Sequence, residues 1–396
     1  MFSIELQLLI ESIKVVLLDK PKEKLIELFN NPAINWARIN HLLARHQIRP
    51  IVYEAARQSN FKNNFIEQMG HFSKVQSIKN LMDSHELTHI LENFQQHNIE
   101  VLPYKGLVFL EKMYQNRPLR ESGDIDIVVK PSDATKALKL LIEAGYTLEI
   151  DSANNENIIN DIVERGQWRE VSLSKMTKSG WKTSIDFHWG INETFQQYKF
   201  HLEDLFEDSK IDSFQKKQLL IPSQNTIFKQ MLNHHGGRNC WLRLKDFCDF
   251  IVFMKAYPEQ DFASLRILAA EMNMKVVFEN GIQILESYFY ENKVLSPLKT
   301  VKQITNFWEE LKGPDMLSYK ITLKSIHRSL QDSQISWWKY IMIHIKYYSI
   351  PNQVENKRLI VFPDNYVFLN AFSKSISYLF SRINPCDNAR RFRYKG

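Results

Sequence analysis

Asp124 and Asp126 stand one residue apart in the run Arg120-Glu121-Ser122-Gly123-Asp124-Ile125-Asp126-Ile127-Val128-Val129. Side chains alternate along a strand, so in so β-branched a stretch both carboxylates point to one face. Neighbouring anionic groups repel, and a divalent cation is the commonest physical reason to place them together. Magnesium suits such a pair because it takes a few carboxylates, keeps several waters and completes its shell with phosphate oxygens. The same pattern also occurs on solvated strand edges, so its surroundings must decide between the two.

The elements that would position the pair can be read from periodicity. Residues 99–104 form a short strand leading into Lys105-Gly106, and 107–115 read as a helix; strand, glycine turn and helix start together make an anion site, to which Lys105 adds a point charge. The second strand covers 124–129. Ser132 is placed to cap a helix that buries Ala137, Leu138, Leu141 and Ile142 and stops at Gly145. Strands at 168–176 and 182–189 follow, separated by the turn residues Lys178-Ser179-Gly180. The second of them carries Asp186 and His188 on one face.

Helical spacing dominates on both sides of this core. Leu6, Leu9, Ile10, Ile13 and Leu17, then Trp36, Ile39, Leu42 and Leu43, then Leu87, Ile90, Leu91 and Phe94 mark buried helix faces before residue 98. From about residue 203 helical spacing is expected to persist to the end, with a helix from Pro222-Ser223 to His234-His235-Gly236-Gly237 and others over 241–255, 276–290, 304–311 and 366–381. The expected class is therefore α+β and predominantly helical, with a small mixed-sheet core. The parts are an N-terminal helical region (1–97), an α/β core (98–202) and a C-terminal helical region (203–396).

Composition narrows the partners. The 396 residues carry 51 basic and 45 acidic side chains, a net charge of +6. That balance permits anionic ligands such as nucleotides without demanding nucleic acid. Cys240, Cys248 and Cys386 are too few and too scattered for a disulfide framework or a four-ligand zinc site, which points to a reducing compartment. The start of the chain shows no leader pattern. The most apolar stretch, 337–350, is broken by Lys339, His344 and Lys346 and falls short of a membrane span. A cytoplasmic protein is expected, with the basic run Arg390-Arg391-Phe392-Arg393-Tyr394-Lys395 as a solvated end.

The order of strand, Lys-Gly turn, helix, Asp-Ile-Asp strand, helix and a later strand bearing Asp186 resembles the nucleotidyltransferase fold of the DNA polymerase β superfamily. The fuller resemblance is to the family of uncharacterised nucleotidyltransferases, over about residues 36–255. It is carried by 36–50, by 99–106, and by Tyr114-Gln115-Asn116-Arg117-Pro118-Leu119-Arg120 running into Gly123-Asp124-Ile125-Asp126. Gly145-Tyr146, Asp186-Phe187-His188-Trp189 and the stretch from His234-His235 to Lys245-Asp246 continue it. In the superfamily the glycine turn usually reads Gly-Gly or Gly-Ser, whereas this chain has Lys105-Gly106.

The resemblance implies a magnesium-dependent transferase using one or two Mg2+ ions and an NTP such as ATP. Asp124, Asp126 and Asp186 would be its catalytic and metal-binding carboxylates, and Lys105, Gly106, Arg117, Arg120 and Ser122 its nucleotide or phosphate contacts. The expected reaction moves a nucleoside monophosphate to a hydroxyl or similar acceptor on a small molecule, sugar or peptide and releases pyrophosphate. Two other readings use the same residues: a binding or regulatory protein that keeps the fold without turnover, and an RNA-modifying transferase. Three retained like charges speak against the first, and the absence of a dense Lys/Arg stripe against the second. A lone His188 is expected to pack or hydrogen-bond rather than ligate metal. His234 and His235 are expected to serve a helix end, and Lys245 and Asp246 to form a helix-surface ion pair or bind the acceptor.

Overall fold

A computed structural model of the chain describes residues 2–115, 117–149, 169–177, 180–191, 198–290, 298–309, 316–332, 336–349, 369–370 and 373. The basic run at 390–395, Cys386 and most of the expected helix over 366–381 lie outside the described residues, as do Trp168, Lys178 and Ser179.

The N-terminal part is built from α1 (Ile4–Leu18), α2 (Glu23–Phe29), α3 (Trp36–His46), α4 (Arg49–Gln58) and α5 (Asn64–Gln96). Leu6, Leu9, Ile13 and Leu17 are buried at the spacing read from the sequence. Ser3 caps α1 by accepting from the amide of Leu6. Arg49-Pro50, shortly after α3, open α4; proline fits a first helical turn because no N–H is required there. At 33 residues α5 is much longer than the apolar stripe near 87–94 indicates. Its middle turns bury Asn80, Asp83 and Ser84, so the apolar period fades where the helix serves the site rather than the core.

The sheet contains β1 (Val101–Pro103), β2 (Ile125–Val129), β3 (Thr147–Leu148), β4 (Glu170–Met176) and β5 (Lys182–His188), in the order β1-β2-β5-β4-β3. Strands β2 and β5 are parallel and every other pair is antiparallel. Ile125, Ile127, Val129, Val171, Leu173, Ile185 and Phe187 are all fully buried. Period-two alternation then sends Asp126, Ser172 and Asp186 to the opposite face. Two helices inside this core differ from expectation. α6 covers only Leu107–Lys112. α7 (Ala134–Glu143) follows a 3-10 turn over Pro131–Asp133, so Ser132 lies inside the turn and the helix has no side-chain cap. Gly145, at φ +89°, ends α7 as expected.

The region after residue 203 is not helical throughout. After α8 (Leu202–Glu207) comes a hairpin of β6 (Ser209–Phe214) and β7 (Lys217–Pro222). Its two turn residues, Gln215 and Lys216, take φ of 49° and 65°, a hairpin turn normally marked by Asn or Gly, and neither mark is present. α9 (Gln224–Met231) starts from Ser223, whose side chain accepts from the amide of Thr226. A π-helical segment, Leu232–Arg238, continues it. The remaining helices are α10 (Leu244–Ala256), α11 (Phe262–Glu271), α12 (Lys275–Tyr288), α13 (Lys299–Trp308), α14 (Met316–Ser329) and α15 (Trp337–Ser349). They close around an aromatic core of Phe228, Trp241, Phe247, Phe250, Phe278 and Trp308. A Cβ on Gly236 would stand 2.3 Å from Val277 and 2.8 Å from Trp241, so only glycine lets the π-segment approach these side chains. Among the described residues no helix is long and apolar enough to cross a membrane.

Candidate metal and nucleotide site

The parallel pairing of β2 with β5 sets Asp126 directly beside Asp186. Asp124 lies two residues earlier on the same face. One carboxylate oxygen from each of Asp124, Asp126 and Asp186 lies within 4.8 Å of the others, an all-oxygen set suited to a hard divalent cation. Ser172, opposite Asp186 in the β4–β5 register, donates its hydroxyl to Asp186 Oδ1 at 2.7 Å.

The turn before the cluster is closely fitted to it. Lys105 and Gly106 both adopt positive φ, +57° and +50°, and the Lys105 ammonium reaches Asp126 Oδ1 at 2.8 Å. A Cβ at position 106 would lie 3.3 Å from Asp126 Oδ2 and 3.6 Å from the Ser122 hydroxyl oxygen, so the glycine answers both to backbone conformation and to close approach. On its other flank Asp126 Oδ1 meets His188 Nε2 at 3.3 Å, while His188 Nδ1 faces Glu170 Oε2 at 3.0 Å. His188 is thus a buried imidazole bridging two carboxylates, consistent with a packed and hydrogen-bonded role.

The three carboxylates are not electrostatically equal. Burial disfavours charge on Asp126, but Lys105 and His188 outweigh it and hold the carboxyl below its usual range. Asp124 is pushed up to about 7 by burial first, then by the like charges of Asp126 and Asp186; Lys105 and Lys245 offset this in part. Burial alone would lower the His188 pKa, yet hydrogen bonds to Asp126 and Glu170 raise it. Asp124 is thus the carboxylate that this cluster leaves least favourable to ionise, and a bound cation would favour its charged form.

The loop that presents Asp124 is anchored carbonyl by carbonyl. Asn80 donates to Arg120 O at 3.0 Å, Lys245 to Glu121 O at 2.7 Å, Gln76 to Ser122 O at 2.8 Å and Lys79 to Gly123 O at 2.8 Å. The Glu121 carboxylate is itself bound by the amide of Arg49 at 2.8 Å and by its guanidinium. Three of the four donors come from α5, which accounts for its polar middle.

Other residues singled out from the sequence lie elsewhere. Arg120 is buried, with Nε and Nη2 on Asp249 at 2.9 and 3.1 Å and Nη1 on Gly106 O at 3.1 Å. It sits beneath the turn, against the Phe109 ring, rather than among the carboxylates. Arg117 is exposed and lies near Glu54, whose carboxyl it helps to hold down behind Arg57 and Gln58. His234 and His235 belong to the π-segment and do not cap a helix end. His235 is buried between Asp246 Oδ1 at 3.2 Å and Asp249 Oδ2 at 2.9 Å, and His234 Nδ1 lies 3.1 Å from His235 Nδ1. Burial, then Lys105, His235 and two arginines, hold the His234 imidazole well below its ordinary pKa. Lys245 and Asp246 are not a surface ion pair. Lys245 reaches Glu121 O and, at 3.3 Å, Gln47, and burial lowers its pKa to about 8. Asp246 faces His235. Sequence reading missed Ser172, Glu170, Arg238 (3.7 Å from Glu170), Gln230 and Asp249. Of these only Glu170 and Ser172 carry a legible signal, the alternation along β4.

Residues 32–290 match the family described as uncharacterised nucleotidyltransferase. Among solved structures the chain is similar, at 11% identity, to an antigenic nucleotidyltransferase-like protein from Paracoccidioides brasiliensis. That match covers 56% of this chain and 92% of the other, with a TM-score of 0.29. No curated protein matches.

Proposed function

The chain belongs to the uncharacterised nucleotidyltransferase family, and from that premise we propose that it is a magnesium-dependent enzyme moving a nucleoside monophosphate from an NTP to an acceptor hydroxyl. The observation that carries this reading is the convergence of Asp124, Asp126 and Asp186 within 4.8 Å, where burial and two like neighbours push the Asp124 pKa up to about 7. The donor set fits Mg2+, which when bound supplies charge stabilisation at the phosphoryl oxygens and orients attacking and leaving groups.

The chain's own residues prepare the rest. Asp124, Asp126 and Asp186 would hold the cation against the triphosphate, and Asp186, which accepts from the Ser172 hydroxyl, would also be placed to take the proton of the acceptor hydroxyl. The acceptor oxygen forms a bond to the α-phosphorus as the bond to the bridging α–β oxygen breaks, and pyrophosphate leaves. Lys105 holds Asp126 ionised and would turn to the nucleotide phosphates on binding. Gly106 and Ser122 line the same wall. The acceptor is a small molecule, sugar or peptide rather than RNA, in keeping with the modest net charge.

Incubation with each α-labelled NTP and Mg2+, followed by separation of small molecules, protein and RNA, tests the reading. Metal-dependent label transfer that is lost in Asp124→Ala and Asp126→Ala, with circular dichroism unchanged, is the expected result. Wild-type protein that binds neither metal nor nucleotide would overturn it. Nucleotide binding without any transfer would assign the chain to a binding or regulatory role, and label on RNA would move the acceptor to nucleic acid.

A further inference from the structure

The Lys105–Gly106 turn is held from outside the sheet at both of its ends. Its entering amide, Lys105 N–H, donates to Gln230 Oε1 on α9 at 3.3 Å. Its leaving carbonyl, Gly106 O, accepts from Arg120 Nη1 at 3.1 Å, and Arg120 is fixed in turn by the two oxygens of Asp249 on α10. Asp249 also accepts from the Tyr114 hydroxyl at 2.9 Å and meets His235 Nε2 at 2.9 Å. Gln230 and Asp249 are completely buried and Arg120 is 5% exposed.

Neither device is explained by stability alone. Gln230 supplies its oxygen to the turn while its buried Nε2 has no hydrogen-bond partner among the described residues, an unfavourable arrangement for a purely structural amide. A buried ion pair such as Arg120–Asp249 is often no more stabilising than apolar residues of the same volume. What both share is the object they hold: a turn in which Gly106 takes a positive φ without penalty but Lys105 takes one at a cost, a non-glycine conformation that the surroundings must hold. Gly106 packs against Asp126, and Lys105 sends its ammonium to it.

We propose that Gln230 and, acting through Arg120, Asp249 are positioning residues: the C-terminal helices clamp the Lys105–Gly106 turn and so set where the Lys105 ammonium meets the acidic cluster. This rests on the nucleotidyl-transfer reading for its catalytic consequence, but the clamp itself is a local structural property. It also accounts for a turn reading Lys-Gly, since side chains of the helical region supply the hold on the backbone.

Two variants test it in the full-length chain: Gln230→Met, which removes the acceptor without changing charge, and the doubly neutral Arg120→Met/Asp249→Leu. Hydrogen exchange followed by mass spectrometry should show amides of residues 104–107 exchanging about tenfold faster or more in each, with helices α1 and α3 unaffected. Transfer of α-labelled nucleotide should lose about 10–100-fold in kcat, the scale expected for a small misplacement, with nucleotide KM within about threefold. Gln230→Glu, which keeps an acceptor oxygen at the turn, should recover most of both readouts. Should the double variant fail to fold, Gln230→Met and Gln230→Glu decide. Unchanged exchange at 104–107 together with kcat within about twofold of wild type in Gln230→Met would overturn the proposal. Faster exchange in a chain whose wild type transfers nothing would support the clamp while overturning the transfer reading.

Discussion

Two clusters of buried charge lie on either side of the Lys105–Gly106 turn, and they differ in how they are neutralised. Around Asp249, a guanidinium, a phenol hydroxyl and an imidazole converge, and Arg120 first and His235 after it hold the carboxyl far below its usual range despite complete burial. Around Asp124, burial combines with two further carboxylates, and the pKa is pushed up to about 7. The first carboxylate is held charged by its partners; in the second cluster Asp124 resists ionisation, through burial and two like neighbours. A saturated carboxylate organises structure, whereas three converging carboxylates, one of them disfavoured from ionising, suit a cation from solution that would favour the charged form.

The sharpest break of that comparison comes from removing a charge in each cluster. Asp126→Asn should leave the fold intact and lower nucleotidyl transfer by at least about 10²–10³-fold, measured with α-labelled NTP. Asp249→Ala should act first on stability, costing about 3–5 kcal/mol in urea unfolding because Arg120 and His235 lose their shared carboxylate in the interior, with transfer lowered by only about 10–100-fold, as expected of a loosened turn. If Asp126→Asn destabilised the chain as much as Asp249→Ala did, the acidic cluster would be structural and the contrast would fall.

Much of the acidic cluster is legible in sequence because strand geometry is local. The alternation of Asp124-Ile125-Asp126 and of Ile185-Asp186-Phe187 assigns faces, and a parallel register then joins them. The clamp is not legible, because Gln230 and Asp249 lie 125 and 129 residues from the groups they hold and carry no spacing signal of their own. Arg120 read as a free cation for the same reason: its type suggests phosphate, and only tertiary packing reveals Asp249. The π-segment at Leu232–Arg238 redirects His235 away from a helix end, and the Gln215-Lys216 turn hides a hairpin inside a region of helical periodicity. The α+β class survives these misses because the apolar stripes of α1, α3 and α9 and the alternation in β2, β4 and β5 are strong.

A metal titration sharpens the contrast next. Mg2+ at about one hundred times its dissociation constant should stabilise the wild type by about 2.7 kcal/mol and leave Asp124→Ala unchanged, read as a shift in thermal midpoint. The pH dependence has a definite sign. The Asp124 pKa is raised in the folded state, so the metal-free chain is favoured while both states are protonated and loses that advantage as pH climbs from about 4 towards 7. Asp124→Asn should therefore gain on wild type across that window and level off above it, and saturating Mg2+ should shrink the gap. A gap that widened towards acid pH would mean that Asp124 is held ionised by partners, as Asp249 is.

The smallest effect belongs to Arg117, and it separates residue type from residue position. Arg117 and Arg120 share one loop and read alike as phosphate contacts, yet one is exposed near Glu54 and the other is locked under the turn. Arg117→Ala should shift stability by no more than about 0.5 kcal/mol, as surface substitutions do. Nucleotide KM and kcat should each stay within about twofold of wild type, since an exposed charge near Glu54 is screened by solvent. A tenfold rise in KM alone would place Arg117 on the bound triphosphate and extend the acidic cluster to a charge that swings in with its ligand.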